Sequence, residues 1–146
     1  MREADLLALH ERFPARYPVL LESVSGAEPL GRHDVLFALP AEQLSRLPDG
    51  SLAGDVRERA GGGRFLDALD RWVARERGAG DVVPSGAMFA DGWFLYLGYE
   101  LAGEIEPTLR LPASRLPSAV AWRMRGALLR DRRTREVRVV ARDHEL

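Results

Sequence analysis

Apolar and polar residues follow two different periods along this chain, and each period predicts one kind of element. The most regular pattern covers residues 63–77, where Phe65, Leu69, Trp72 and Val73 recur at helical spacing between charged residues. Apolar residues at this spacing form one face of an amphipathic helix. The sequence therefore predicts one main amphipathic helix at about residues 63–77.

A shorter helix is predicted near the N-terminus. Residues 4–13 carry apolar side chains at Leu6, Leu7 and Phe13, and Pro14 follows directly. A residue that precedes proline is disfavoured in the helical region of backbone conformation. We therefore expect this helix to end before Pro14.

Short apolar runs predict strands in the first part of the chain. One strand is expected around residues 17–24 and a second within 31–40, with Pro29 and Gly31 supplying a turn between them. A hairpin and a short crossover fit this turn equally well. Residues 41–63 are expected to be loop-like, since they include a Pro-Asp-Gly turn signal and three consecutive glycines.

The second part of the chain predicts another strand at 92–97, and then a turn or short helix that ends at Pro107. Residues 119–131 and 136–143 read as a β-hairpin around a turn at 131–136, because Val137, Arg138 and Val139 alternate as in a half-buried strand. The order of helix, strands, one strong helix and more strands is typical of an α+β domain. We predict antiparallel β-sheets, the main helix and a C-terminal β-hairpin.

Composition narrows the function classes. The chain has 146 residues, which suits a single domain, and a formal net charge of −1, which argues against general binding of nucleic acid or membrane surfaces. It contains no cysteine and no lysine, so thiolate chemistry, Schiff-base lysines and P-loop lysines are excluded. No signal peptide and no membrane-length apolar run are visible, and we expect a cytoplasmic protein.

Several local patterns resemble chemical sites but have a simpler reading. The three histidines are scattered, which argues against a zinc site. The glycines before the main helix could bind an anion, although a flexible loop is the simpler interpretation. The arginines of residues 130–135 are expected in a solvated turn, and Glu100, Glu104 and Glu106 on a solvated helix face. No catalytic residue is predicted from these patterns.

One strand ends in an unexpected way. Glu22 and Ser23 follow directly on the apolar run Val19–Leu21. Either the strand simply ends there, with both side chains in solvent, or these polar groups face a ligand.

Four segments in order resemble the N-terminal region of chorismate-utilising enzymes, the component I family of anthranilate and para-aminobenzoate (aminodeoxychorismate) synthases. They are LLES at residues 20–23, GRHDVLFALP at 31–40, DGWFLYLGYELAGEIE at 91–106, and the closing hairpin at 116–141 with Asp131 at its turn. The resemblance extends along nearly the whole chain. Its second and third segments have the looser form found in the para-aminobenzoate branch.

The resemblance implies a division of labour. In that family the chorismate site, its Mg²⁺-binding glutamates and the acid–base residues lie in a larger C-terminal domain, which nothing in this chain matches. Residues 1–146 would then be a single, non-catalytic N-terminal domain, with no cofactor of its own and Mg²⁺ only in the missing domain. The whole enzyme would aminate chorismate to 4-amino-4-deoxychorismate in folate biosynthesis.

The resemblance also implies a ligand site. In the family the LLES segment lines a pocket for tryptophan, so Leu21, Glu22 and Ser23 would form one wall. A second wall would come from Arg32, His33 and Asp34, where His33-Asp34 replace the commoner Tyr-Ser. Glu22 would accept from the ligand's ammonium, and Ser23 or Arg32 would donate to its carboxylate. The chain would supply half of this tryptophan-type pocket.

The partners expected from the resemblance are the chorismate-binding C-terminal domain, a glutamine amidotransferase subunit and tryptophan. A face exposed by the missing domain would be apolar and would favour self-association. Two alternatives remain open: an N-terminal domain of anthranilate synthase with feedback binding of tryptophan, and a free-standing protein-interaction module. A nucleic-acid binder that uses the arginine-rich hairpin is the least favoured reading.

Overall fold

The structure is a computed structural model that describes residues 5–24, 31–58, 60–77, 92–112 and 114–141. These residues form three α-helices and six β-strands: α1 (Leu6–Arg12), β1 (Val19–Leu21), β2 (His33–Arg46), β3 (Leu52–Ala53), α2 (Phe65–Arg77), β4 (Gly92–Leu97), α3 (Ala102–Ile105), β5 (Ala119–Asp131) and β6 (Val137–Ala141). A 3₁₀ turn over Tyr99–Leu101 precedes α3. The predicted α+β class is confirmed.

The strands form one antiparallel sheet in the described part of the chain. Its main order is β1-β2-β5-β4, with β3 beside β2 and β6 beside β5. Because β1 and β2 pair in antiparallel fashion, with Leu20 opposite Leu36, their connection is a hairpin and the crossover alternative is wrong. The predicted C-terminal hairpin is confirmed, since Arg130 on β5 lies opposite Val137 on β6.

The chain divides into two compact units. The first comprises Met1–Ala41, Val83–Gly92 and Met124–Leu146, and the second comprises Glu42–Val82 and Trp93–Arg123. Strands β2 and β5 each contribute residues to both units. The prediction of a single domain over residues 1–146 stays a prediction.

The first unit is built around the predicted N-terminal helix and the strands beside it. Asp5 caps α1, because its Oδ1 accepts a hydrogen bond from the Ala8 amide at 3.0 Å, and the helix ends ahead of Pro14 as predicted. The buried apolar side chains of this unit come from α1, β2 and β5: Leu6, Leu36, Phe37, Ala38, Met124, Ala127 and Leu129.

The second unit is built around α2, which confirms the main predicted helix. Phe65 and Trp72 are buried on its inner face, as the spacing predicted, and Ala68 is buried between them. The apolar partners of this face come from the strands, the turn after β3 and the 3₁₀ turn of the same unit: Leu44, Leu52, Val56, Leu101, Ala119 and Ala121. Gly78, which the sequence predicts as the residue that ends this helix, lies outside the described residues.

Strand β2 is longer than the sequence predicted. The loop expected from residue 41 is wrong, because β2 continues to Arg46, which lies opposite Leu52 on β3. Pro40 suggested an end to the strand because proline donates no ladder hydrogen bond. The chain accommodates it by an irregularity, since Leu39 adopts a left-handed backbone with φ 55° and the strand then resumes.

The N-terminus of α2 is capped from another part of the second unit. Glu104 accepts hydrogen bonds from the Phe65 amide at 3.1 Å and the Leu66 amide at 3.3 Å, and from Arg46 Nε at 2.7 Å. The expectation that Glu104 lies on a solvated helix face is therefore wrong. The three glycines before α2 all have positive φ and form the turn. The carboxylate of Glu104 lies where an external anion would bind at the helix N-terminus.

Candidate functional site

The polar residues predicted to line a ligand site lie together in the first unit, at the end of β1 and the start of β2. The structure adds the end of β5 to this group. We call the combined set the polar cluster, and it consists of Glu22, Ser23, Arg32, His33, Asp34, Arg130, Asp131 and Arg132.

The register of β1 and β2 explains why two acids come together. Leu21 lies opposite Val35, so the next positions, Glu22 and Asp34, are neighbours across the strand pair. Two like charges in this position repel each other and destabilise the pairing. A cation between them is therefore required on physical grounds.

Arg130 on β5 supplies that cation. Its Nε and Nη2 both donate to Asp34 Oδ2, at 2.9 and 2.7 Å, and its Nη2 also donates to Glu22 Oε1 at 3.1 Å. Asp34 is only 1% exposed, and its other oxygen accepts from the Ser23 amide at 3.4 Å. A buried carboxylate needs such partners, because an unpaired charge in the interior is strongly disfavoured.

Arg32 is paired with Asp131 at the hairpin turn. Arg32 Nε and Nη2 donate to Asp131 Oδ2 at 2.9 and 2.6 Å, while Oδ1 of Asp131 accepts from the Arg133 and Thr134 amides. The hydrogen bond from Arg32, with help from these amides, holds the pKa of Asp131 well below its usual value. Asp131 thus shapes the turn and fixes the direction of the Arg32 side chain.

The remaining predicted residues have different surroundings. The backbone of Ser23 takes part in the cluster, because its amide donates to Asp34 and its carbonyl oxygen accepts from Arg132 Nη1. His33 Nε2 lies 3.9 Å from Asp131 Oδ2. Leu21 is 48% exposed and points to the opposite face of β1 from Leu20, because side chains alternate along a strand.

Arg130 and Arg132 are the site residues that sequence reasoning missed. Both fall in the run that was expected to be a solvated turn, whereas Arg130 lies in β5 and donates to a buried acid. Their partners are distant in sequence, so no local spacing reports the contact. The one available signal was Asp34 itself, since a carboxylate at the start of a buried apolar strand needs a cation.

The outward part of the cluster is small. Glu22 has a side chain that is 46% exposed, and Leu21 is exposed to a similar degree. The other acids and arginines are engaged with each other. The arrangement therefore offers a ligand one half-exposed carboxylate, together with the outer parts of the arginine side chains.

The second unit contains an aromatic cluster of a different kind. The Trp72 and Trp93 rings meet edge to face with centroids 5.7 Å apart, and the Arg123 guanidinium lies 4.3 Å from the Trp93 ring centre. Nε1 of each indole is buried without a hydrogen-bond partner. The cavity beside Trp72 has a volume of about 50 Å³. It is too small for an amino acid with an aromatic side chain, since ligand pockets usually measure about 300–1,000 Å³.

The described residues contain neither a metal-ligand group nor a membrane-spanning helix. No group of three or more His, Asp or Glu side chains there is placed to hold a metal ion. No helix within the same ranges is long and apolar enough to cross a membrane.

Comparison with known proteins gives a match of fold. No model of a known protein family and no curated protein matches this sequence. Among solved structures, the chain is similar to anthranilate synthase component I from Streptococcus pneumoniae TIGR4, with a TM-score of 0.56 and 18% sequence identity. The similarity covers 98% of this chain and 31% of that one, so this chain spans about a third of its structural neighbour.

Proposed function

We propose that this chain is the non-catalytic N-terminal domain of a chorismate-utilising enzyme of the component I type. The observation that carries the proposal is the fold match. It covers nearly the whole of this chain but under a third of the neighbouring enzyme. The four sequence segments found in the family's order support the same assignment. In this view the chemistry belongs to a separate chorismate-binding domain, which holds the Mg²⁺ in the whole enzyme.

The para-aminobenzoate branch is our first choice within that family. It rests on the looser form of the segments around Arg32 and Tyr99. The whole enzyme would then aminate chorismate to 4-amino-4-deoxychorismate in the cytoplasm, with ammonia from a glutamine amidotransferase subunit. The anthranilate branch is the alternative, and it is favoured by the identity of the structural neighbour.

A docking surface for the chorismate-binding domain is also part of the proposal. Exposed apolar side chains are frequent in one stretch of the second unit: Leu95, Tyr96, Leu97, Tyr99, Ile105, Leu109 and Leu116. Exposed apolar side chains in such number are typical of interaction surfaces. We assign this stretch to contact with the catalytic domain.

The experiment that tests the function compares two proteins. The chain of 146 residues and a longer chain that includes the downstream coding sequence are each supplied with chorismate, Mg²⁺ and ammonia. We expect product only from the longer chain, and its mass identifies 4-amino-4-deoxychorismate or anthranilate. Turnover by the chain of 146 residues would contradict a non-catalytic role.

The amino-acid site is tested separately by calorimetry with tryptophan. We propose that the polar cluster contributes Glu22 for the ligand's ammonium, while Arg32 or Ser23 meets its carboxylate. Binding to this chain alone should be weak, because an open half-site leaves part of the ligand in water. Equal affinity of the short and the long chain would contradict a pocket shared with a second domain.

A further inference from the structure

Arg130 makes two contacts of unequal strength within the polar cluster. Its two hydrogen bonds to Asp34 involve a carboxylate that is 1% exposed, whereas its bond to Glu22 involves a side chain that is 46% exposed. Ion pairs at the surface are weak because water and salt screen them, while buried charges hold their partners firmly. Arg130 can therefore leave Glu22 and remain paired with Asp34.

Glu22 is also the group that a ligand's ammonium would need. In the free chain its Oε1 accepts from Arg130 Nη2 at 3.1 Å, so the guanidinium already occupies that acceptor. An incoming ammonium must replace this hydrogen bond. The free energy of binding then includes only the difference between the ammonium–Glu22 and the Arg130–Glu22 interactions. Asp34 keeps the competitor in place because it binds the same guanidinium through both Nε and Nη2.

We propose that Arg130 is a positioning residue that acts as an internal competitor for the ammonium of an amino-acid ligand at Glu22. This inference rests on the proposed amino-acid site and adds a residue that lowers the affinity of that site for its ligand. Ligands with a primary ammonium compete with Arg130, whereas ligands without one leave the Arg130–Glu22 contact in place. Asp34 anchors the competitor and does not meet the ligand.

The test uses a variant that removes the competitor without leaving a buried charge unpaired. Arg130→Gln alone would leave the buried Asp34 with only the more distant Arg132, whose Nε lies 3.9 Å from Oδ1, and is expected to destabilise the fold. Asp34→Asn/Arg130→Gln instead places two neutral amides where the ion pair was, and these can still form a hydrogen bond. We expect tryptophan to bind this double variant about fivefold more tightly than the unchanged chain, which is the scale of a half-exposed ion pair.

Two comparisons make the readout specific. Tryptamine, which has the ammonium, should show the same gain, whereas indole-3-propionate, which lacks it, should show none. Glu136→Gln/Arg138→Gln is the matched control, because it neutralises an exposed ion pair of the same hairpin and leaves the net charge unchanged. This control should bind tryptophan with the affinity of the unchanged chain.

The outcomes separate this inference from the proposed site. The competitor is supported if the double variant binds tryptophan and tryptamine, but not indole-3-propionate, more tightly than the unchanged chain does. This gain should disappear when Glu22→Gln is added to the double variant. Equal tryptophan affinity in the unchanged chain and the double variant overturns the competitor but leaves the site. If neither sequence binds tryptophan at millimolar concentration, in this chain or in the longer chain that includes the downstream coding sequence, the amino-acid site is wrong and the inference falls with it.

Discussion

At the scale of single residues, Gly54 lies where the fold leaves no room for a side chain. Its φ is +108°, and a Cβ placed on it would lie 2.2 Å from the Gln43 carbonyl oxygen. Gln43 and Asp55 are further tied by a hydrogen bond of 3.1 Å between the Gln43 amide and Asp55 Oδ2. The chain around Gly54 therefore cannot move away from Gln43 without breaking this hydrogen bond.

Gly54→Ala should therefore lower the free energy of unfolding by about 2 kcal/mol or more, since it combines backbone strain with a steric clash. Urea denaturation measures the change. Gly62→Ala is the matched control, because Gly62 has a φ of +65° but no atom within 4 Å of the added Cβ. The control should cost about 1 kcal/mol, and equal costs would show that the close approach to Gln43 is unimportant.

Asp131 makes an acid-sensitive contribution to stability. Its pKa in the folded chain lies below the ordinary value of 3.8, chiefly because Arg32 donates to it. A group with a depressed pKa stabilises the fold above its unfolded pKa, and this stabilisation is lost as the pH falls toward the folded pKa. The sensitive range therefore begins near pH 4 and extends downward.

Unfolding midpoints at pH 5 and pH 3 test this contribution. Asp131→Asn should reduce the loss of stability between the two pH values, since the asparagine does not titrate. Arg32→Gln should have a similar effect because it removes the main cause of the shift. Arg138→Gln, an exposed arginine of the same hairpin, should leave the loss unchanged. An unaltered loss in Asp131→Asn would contradict the assignment.

At the scale of elements, helix α2 depends on a cap from α3. The Glu104 carboxylate has an exposure of 8% and joins the first amides of α2 to Arg46, which in turn donates to Ser118 Oγ at 2.7 Å. This arrangement connects a helix, a strand and the residue that precedes β5 within the second unit. A carboxylate at a helix N-terminus also interacts favourably with the helix dipole.

Glu104→Gln should lower the free energy of unfolding by about 3 kcal/mol, because it leaves the largely buried Arg46 without its anion. Circular dichroism during urea denaturation gives the measurement. Glu106→Gln is the control, since the Glu106 side chain is exposed and accepts from the amide and the hydroxyl of the nearby Thr108. It should unfold like the unchanged chain, and a similar loss in both variants would argue against the cap.

Elements with a strong local pattern were predictable, and those held by distant contacts were not. Helix α2 was predicted because Phe65, Leu69 and Trp72 follow one another at intervals of about one helical turn, and this spacing is a local property. The continuation of β2 past Pro40 was missed because its support comes from pairing with Leu52 and Ala53. Glu104 was misread because its partner Arg46 lies far away in the sequence.

The candidate site likewise contains residues that the sequence identified and a partner that it did not. Glu22 and Asp34 were assigned to two walls of one site because each belongs to a segment that resembles the family. The cation that joins them, Arg130, is separated from Asp34 by almost the whole chain. No period or motif connects residues so far apart, so the pairing appears only in the folded sheet.

At the scale of the whole molecule, the exposed apolar stretch of the second unit should cause self-association when no partner covers it. Sedimentation velocity over a range of concentrations should show a monomer that forms larger species. Leu97→Glu/Ile105→Glu places charges at two residues that are 53% and 71% exposed, and it should shift the chain toward monomer.

Leu7→Glu is the matched control for that measurement, because Leu7 is also exposed but lies on α1 in the first unit. It should leave the association unchanged. A chain that stays monomeric at every concentration would count against an uncovered docking surface.

The division of the chain also places all of its tryptophans in one unit. Trp72, Trp93 and Trp122 are the three tryptophans of the sequence, and all of them belong to the second unit. Intrinsic tryptophan emission therefore reports the melting of that half, while the half that contains Arg130 has no indole of its own. An indole ligand seated at Glu22 would be the sole indole in that half, and its emission would add to that of the three tryptophans in the other half.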